Sequence, residues 1–557
     1  PKSMKWSDLH TPFARPIQYI LALYGRQVIP FEFGNIKTGR YTRGHFFMKP
    51  AKIKIAHPDA YVETLLQADV IVDFQKRRKA VEKGIQQAAK KAKGQVLPDA
   101  QLLDTVANLV EYPVPVTGRF DKVFLELPGE ILITAMREHQ KYFAVVDKSG
   151  HLLPAFIAVN NTAARDLNLV ATGHERVLRA RLADARFFFH ADTKDRLDDW
   201  VQGLKGVLFQ AELGTMYDKT IRVQKMSEEL AGQVRSARKK GRGLAKLRQT
   251  ASRAAYLSKA DLMSDVVNEF PRLQGVMGRV YADRAKESGN VPTAIEEHYR
   301  PTFSGGPLPE TLTGAVVSVA DKMDSICGCF SAGLIPTGAS DPYALRRQAI
   351  GIIQIMVAFE FTFSISNMID YSLKLYGLKD PTERVDIKNR VYAFFKNRIQ
   401  RILTEEGFAK DVVSAVTQVS IDVIPDTWRR VQALGDLKTR PDFEPLAIAF
   451  KRVVNIIKQA DFRKIGKVDE ALFEHESEPG LYRAFEHVNK RVDTLFKQGA
   501  FDRVLRQIAS LREPVDAFFD GVRVMSTNQK VRKNRLRLLA HIARLFEQVA
   551  DFSRLST

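Results

Sequence analysis

The sequence predicts a multidomain, predominantly α protein, with an α/β region at its N-terminal end, a helical middle and an all-helical tail. Three observations predict it. The chain has 557 residues, enough for three or four domains. Strand-like alternation is confined to the first part, whereas from His174 onward apolar residues recur nearly throughout every three or four positions. Hydrophobic residues make up 45% and charged residues 27%, a balance that supports substantial cores.

Taken in order, Pro16 to Tyr24 is apolar enough for a helix, and Val28–Ile29–Pro30–Phe31–Glu32–Phe33 alternates like a short strand. Gly34 to Gly44 reads as a loop. A charged, helix-prone stretch runs from Tyr61 to Lys93, and Asp104 to Glu111 is another helix. Strands are expected at Lys122–Leu127, Glu130–Thr134, Tyr142–Val146 and Ala155–Asn160. The helical middle opens at Glu175–Phe189 and continues through Asp195–Leu208, Thr215–Val234, Ala251–Glu269, Gln274–Glu287 and Glu310–Ala332. Breaks are expected at Gly305–Pro309 and Ile335–Pro342, where Gly and Pro cluster. Beyond Tyr343 the chain is helical, interrupted near Pro381, Pro425, Pro441 and Pro479. The expected domains are 1–173 (α/β), 174–345 (helical), 346–440 (helical linker) and 441–557 (helical tail).

Lys and Arg number 85 against 64 Asp and Glu, a net charge of +21. Such an excess attracts polyanions, either nucleic acid or an anionic membrane surface. The longest apolar run, Ala349 to Phe363, is too short to span a bilayer and carries Gln354 and Glu360, so a buried helix is expected there. Two cysteines, Cys327 and Cys329, suit core-filling thiols of a reducing cytosol; they make no disulfide framework and no zinc site. The opening Pro1–Lys2–Ser3–Met4 has no apolar signal segment and no initiator Met at position 1, so N-terminal sequence is expected to be missing.

Three basic segments are candidate phosphate contacts. In the tail, Leu536, Leu539, Ala543, Phe546 and Val549 form an apolar stripe, around which stand Arg532, Lys533, Arg535, Arg537 and Arg544. No acidic residue lies between Asp520 and Glu547, so nothing local neutralises them. The same pattern also describes a solvated helix face. In Met136–Arg137–Glu138–His139–Gln140–Lys141–Tyr142–Phe143, at the edge of a strand, Arg137, His139, Gln140 and Lys141 can grip a backbone while Tyr142 stacks on a base. An ordinary polar turn fits this cluster too. Between Gly232 and Ala260 there is no acidic residue, but Arg238, Lys239, Lys240, Arg242, Lys246, Arg248 and Arg253 crowd together. Gly241 and Gly243 suggest a loop there, either over RNA or simply solvated.

Leu257–Ser258–Lys259–Ala260–Asp261–Leu262 and Val319–Ala320–Asp321–Lys322–Met323–Asp324 resemble core helices of HD-type phosphohydrolases. Active members hold two divalent metals with His and Asp together. Here Ala260 precedes Asp261 where the resemblance implies a His, and His298 is the only nearby downstream imidazole. Asp261, His298, Asp321 and Asp324 therefore read as a degenerate site without metal, with Asp261 and Asp321 bonded to backbone or to neighbouring Arg and Lys.

No phosphate-binding loop, dinucleotide fingerprint or Gly-x-Ser-x-Gly occurs, and neither class I synthetase signature is complete. Lys225–Met226–Ser227 is only a fragment of one of them, and no class II ATP-binding motif stands out. The chain nevertheless resembles, nearly end to end, the β subunits of bacterial glycyl-tRNA synthetase. The marks are Thr42–Arg43–Gly44–His45, Arg137 to Phe143, Arg181–Leu182–Ala183–Asp184–Ala185 with Phe187–Phe188–Phe189, Gly206–Val207–Leu208–Phe209 through Leu213–Gly214–Thr215, Gln274–Gly275–Val276–Met277–Gly278, and Asp341–Pro342–Tyr343–Ala344–Leu345–Arg346–Arg347. The tail is similar to the anticodon-binding module that ends several synthetases. The resemblance implies a cytoplasmic α2β2 ligase whose small α subunit holds ATP, Mg2+ and glycine. It also implies that this chain carries tRNA(Gly)-recognition domains, a degenerate HD-like domain and the anticodon-binding domain, and no cofactor. Two rivals remain at this point: a free-standing RNA-processing protein with an HD-type phosphodiesterase centre, and a class I arginyl synthetase with a diverged front.

Overall fold

The computed structural model describes residues 4–5, 12–13, 15, 17–234, 242–338, 340–441, 443–460, 462 and 466–556. The chain forms two compact units. The first comprises Pro1–Asp195 with Ser264–Gln274, and the second comprises Arg196–Met263 with Gly275–Thr557.

The first unit is built on a four-stranded antiparallel sheet in the order Gln95–Val96, Phe143–Val146, Leu152–Asn160, Val114–Arg119. Helices Phe74–Lys91 and Ala100–Leu109 cover one face, burying Val81, Ile85, Leu103 and Val106 against Phe143, Val145 and Ile157. Asp73 and Asp99 cap these helices by accepting the N–H of Lys76 and Leu102. The edge strand Val114–Arg119 was not anticipated, because Pro115 and Gly118 interrupt its pattern; an edge position tolerates both. Gly118 is also required for space: a Cβ there would stand 2.3 Å from the ring of Phe156 on the neighbouring strand.

Two expected strands are helical instead. Lys122–Glu126 is a 3-10 turn, and Gly129–Thr134 is an α-helix running into a π-turn at Ala135–His139. Buried Ile131, Leu132, Ala135 and Met136 follow helical spacing, which outweighs the β-branched content of the segment. The expected helix from Pro16 to Tyr24 is replaced by strands Ile20–Leu21 and Leu23–Tyr24, the second paired with Gln27–Val28 across Gly25 at φ +55°. The helix expected to open the middle domain spans Leu167–Asp192, across the anticipated boundary at 173, and packs on Val114–Arg119.

In the second unit the helix Leu312–Ser331 is buried from Thr313 to Phe330. Around it pack Met216–Gln233, Arg242–Leu257, Val291–Glu297, Leu345–Ala358, Ile365–Leu375 and Pro381–Glu405. Thr215 and Asp218 form a reciprocal cap at the start of Met216–Gln233. The loop expected around Gly243 is helix from Arg242, and the expected helix Ala251–Glu269 instead ends at Leu257, before short turns at Ala260–Met263 and Asp265–Glu269.

Toward the C-terminus, Phe443–Gln459 packs on Gln529–Glu547, with the rings of Phe450 and Phe546 stacked at 3.8 Å. Ser477–Lys497 packs on Phe501–Ala509 and Arg512–Gly521. Pro381, Pro425 and Pro479 each sit in a first helical turn, where the missing N–H costs nothing. Among the described residues, no helix is long and apolar enough to cross a membrane.

Candidate nucleic-acid interface

The terminal helix divides its basic residues between surface and interior. Leu536, Leu539, Ala543, Phe546 and Val549 are all buried, as the apolar stripe predicts. Lys533, Arg537 and Arg544 recur at i, i+4 and i+11 and so share one stripe of the helix, with Arg532 beside it. Lys533 and Arg544 are exposed and Arg532 is half-buried. None of the three has a carboxylate partner among the described residues. Arg537 is half-buried and donates to the carbonyl of Lys467 at 3.3 Å.

Arg535 is different, and the sequence-based expectation for it is overturned. It is 6% exposed, and its Nε and Nη2 donate to the two oxygens of Glu478 at 2.9 and 3.1 Å. Nη2 also reaches Glu474, and Nη1 donates to the carbonyl of Arg523. The acids that neutralise it come from the helix Ser477–Lys497 and the turn before it, so a local search for Asp and Glu could not find them. Beside it, buried Asn534 clasps Asp469 through both backbone groups at 2.8 Å. Arg535 and Asn534 thus fix the helix, leaving Arg532, Lys533 and Arg544 to face outward.

The cluster from Arg137 to Tyr142 is also largely internal. Arg137 donates to Asp99 at 2.6 Å and to Gln101 at 2.8 Å, and pairs with Glu138, which also binds Arg272. Lys141, at φ +57°, donates to the carbonyl of Glu138. Tyr142 is 4% exposed and stacked on Phe156 at 4.6 Å, so its ring is not offered to a base. Its hydroxyl donates to His174 Nδ1 at 2.8 Å, while His174 Nε2 donates to Asn160. Burial pushes the Tyr142 phenol up to about 12. His139 remains exposed, edge-on to Phe270, and Gln140 is half-buried.

Of the third segment, Arg238, Lys239 and Lys240 lie outside the described residues, as does the side chain of Arg242. Arg253 does not face a ligand: it bridges Asp198 at 2.7 Å and Glu287 at 2.6 Å.

The HD-like residues converge in the second unit. Asp261 is wholly buried, and its Oδ2 accepts the N–H groups of Gly275 and Gly278 at 2.5 and 3.0 Å, capping the helix Val276–Arg284. Burial pushes its carboxyl up to about 6. A Cβ at Gly278 would meet Ile295 at 2.6 Å and the Asp261 carboxylate at 3.2 Å, which accounts for a glycine there. Asp321 lies 3.1 Å from Lys219 Nζ and 3.3 Å from Lys259 Nζ. Burial opposes its charge, but Lys219 and Lys259 outweigh it and hold the carboxyl far below its ordinary value. Asp324 accepts from Lys219, from Arg222 at 2.7 Å and from the Tyr376 hydroxyl at 3.0 Å.

His298 Nδ1 donates to the carbonyl of Ile295, leaving Nε2 to accept from Lys259 at 2.8 Å. Burial and the Lys259 charge keep this imidazole neutral. Lys322 donates to the carbonyls of His298 and Arg300 and to Ser318, and burial pushes its amine down to about 7. The residues do not fit a divalent metal pair. Ammonium groups, a guanidinium and a hydroxyl occupy the oxygens of Asp321 and Asp324 and the Nε2 of His298, and backbone amides occupy Asp261 Oδ2. Asp261 and Asp321 thus bond to backbone and to lysine, as the sequence suggested. Lys219, Arg222, Lys259 and Lys322 were not named as the partners, although Lys259 two positions before Asp261 and Lys322 directly after Asp321 were the available signal.

The geometry defines a mostly helical, multidomain protein with an exposed basic stripe on its terminal helix and a buried centre in which lysines and an arginine sit against the carboxylates. The profile of the glycyl-tRNA synthetase beta subunit matches residues 1–418, and that of the DALR anticodon binding domain matches residues 446–552. The chain is 49% identical over its whole length to the glycine–tRNA ligase beta subunit of Desulforapulum autotrophicum and 50% identical to that of Desulfatibacillum aliphaticivorans. It is 46% identical to the one from Citrifermentans bemidjiense, and it spans 79% of each of these relatives. The chain belongs to the glycyl-tRNA synthetase β subunit family, and so is a component of an aminoacyl-tRNA ligase.

Proposed function

We propose that this chain binds tRNA(Gly) and positions it for ATP-dependent aminoacylation at the active site of a partner α subunit, within a cytoplasmic α2β2 assembly. The observation that carries this reading is the exposed Lys533 and Arg544 with Arg532 beside them, all without carboxylate partners among the described residues, inside the segment matching an anticodon-binding domain. The relatives are named as beta subunits, which supports an α partner. ATP and Mg2+ are assigned to that partner, and no cofactor is assigned to this chain. The HD-like centre acts as scaffold, since its acceptors are already engaged.

The purified chain alone is expected to bind tRNA(Gly) but to give no glycine-dependent ATP–pyrophosphate exchange. Adding the α subunit restores both exchange and aminoacylation. Exchange catalysed by this chain in the proven absence of α overturns the division of labour.

A further inference from the structure

The segment Asp341–Pro342–Tyr343–Ala344–Leu345–Arg346–Arg347 has no role in the sites described above, yet it forms one wall of a cavity of about 430 Å3 in the second unit. Pro301, Phe303, Ala344 and Ile350 supply apolar lining. Phe303 is 57% exposed, so its ring is open to a stacking partner. Ser304, Asp341, Arg346, Arg347 and Gln354 supply the polar lining, one carboxylate against two guanidinium groups.

The local backbone explains why the two arginines stand there. Both oxygens of Asp341 are committed to the N–H groups of Leu345 and Arg346, at 2.8 and 3.0 Å. The chain enters the helix Leu345–Ala358 through Ala344 at φ +54°, a left-handed conformation that a small residue bears more readily than a branched one. Arg346 and Arg347 each make a hydrogen bond to a carbonyl, of Ser340 and Thr302 respectively, and neither has a carboxylate partner among the described residues. Arg398 adds positive charge nearby: its guanidinium packs over Phe394 at 4.1 Å, and burial together with Arg346 lowers its proton affinity. At the cavity, Gln354 Oε1 is buried with no hydrogen-bond partner. An orphaned buried acceptor is costly unless a donor arrives.

We infer that this cavity receives one unpaired nucleotide of the RNA: its base stacks on Phe303, its exocyclic amino group donates to Gln354 Oε1, and its phosphate lies against Arg346 and Arg347. An exposed aromatic ring, guanidinium groups outnumbering the one carboxylate, whose oxygens already accept backbone N–H groups, and a buried amide acceptor together suit a splayed-out base. A nucleotide offers all three contacts from one unit, a flat face for Phe303, a donor for Gln354 and an anion for the arginines, whereas a peptide must supply them from separate residues. The acceptor matches the exocyclic amino group of adenine, cytosine or guanine, whereas uracil reaches it only through its N3–H, set between two carbonyls. The inference rests on the proposed tRNA-binding role and deepens it.

The test uses the α–β complex with fluorescein-labelled rA6, rC6 and rU6 hexamers and with tRNA(Gly), each titrated at several salt concentrations. Tighter binding of rA6 and rC6 than of rU6 is expected, and Gln354→Leu should remove that difference. Phe303→Ala should weaken the rA6 and rC6 complexes on the order of 10-fold. Arg347→Ala should reduce the log–log salt slope by roughly one. If wild type binds tRNA(Gly) while all three variants match it on every probe, the cavity assignment falls and the tRNA-binding reading stands. A wild-type complex that does not bind tRNA(Gly) overturns both. If Phe303→Ala or Arg347→Ala instead dissociates α from the complex by size-exclusion mass analysis, the cavity is a protein interface and the assignment is wrong.

Discussion

Arg535 and Glu478 form a two-point ion pair whose side chains are 7% and 1% exposed, joining the terminal helix to the helix Ser477–Lys497. A guanidinium fork matched to a carboxylate is a directional contact, and here it is sealed from water. It holds the basic face of the terminal helix in one orientation.

Removing one partner leaves the other charge buried and unpaired. Arg535→Ala is expected to lower stability by roughly 3–5 kcal/mol, measured by urea unfolding of the purified chain. Arg535→Lys should recover only part of this, because an ammonium cannot reproduce the fork. An unfolding midpoint equal to wild type in Arg535→Ala would falsify the structural role.

The same pair sets an acid limit. Burial opposes the charged form of Glu478, but Arg535 and the N–H groups of Glu474 and His475 prevail and hold its carboxyl below the ordinary 4.5. A depressed carboxyl contributes stability that is complete above the unfolded value and is lost as pH falls through the folded one. The tail should therefore loosen as pH drops below about 4.5. Glu478→Gln should flatten that dependence in circular-dichroism melts taken across the acid range.

Arg532 and Lys533 stand outside this clamp. Arg532→Ala and Lys533→Ala should leave stability within about 0.5 kcal/mol of wild type. Each should weaken tRNA(Gly) binding and reduce the log–log salt slope by roughly one. A fluorescence titration over several salt concentrations decides it; unchanged slopes in both variants place the phosphate contacts elsewhere.

In the HD-like centre, Ala260→His is expected to recruit no metal, because Lys219 and Lys259 already sit against Asp321 and His298 is committed to Lys259. Elemental analysis should find no stoichiometric divalent ion in the variant, and phosphodiesterase assays should stay at background. Melting of the wild type should be unaffected by a chelator. Bound metal together with turnover would return the site to the hydrolases.

Gly118→Ala tests the first unit. The added methyl would stand 2.3 Å from the ring of Phe156, which carries Tyr142. The displaced pair should cost about 1–3 kcal/mol in urea unfolding and disturb the contact between Tyr142 and His174. A neutral substitution would mean that the strand gives way freely.

The sequence already showed which face of the terminal helix is buried, because an apolar stripe depends only on neighbours three and four positions away. It could not show that Arg535 is spent, since Glu478 lies 57 residues earlier in the chain. Tyr142 misled for the same reason: Phe156 and His174 enclose it only once the sheet and the helix Leu167–Asp192 have formed. Between Lys122 and Thr134, short apolar runs fit either period, and the helical one was settled by packing. The absence of an HD-type histidine was legible at Ala260, whereas the Lys219 ammonium comes from a helix 105 residues before Asp324 and that of Lys259 from 62 residues before Asp321.

Lys219 and Lys259 give the HD-like centre counter-ions that are synthesised with the chain, in fixed number and tethered by their own side chains. Such a centre needs no loading step after synthesis, cannot be filled by the wrong ion and cannot be emptied by dilution. The core around Leu312–Ser331 can therefore close as soon as its helices meet, whatever the ionic inventory of its surroundings.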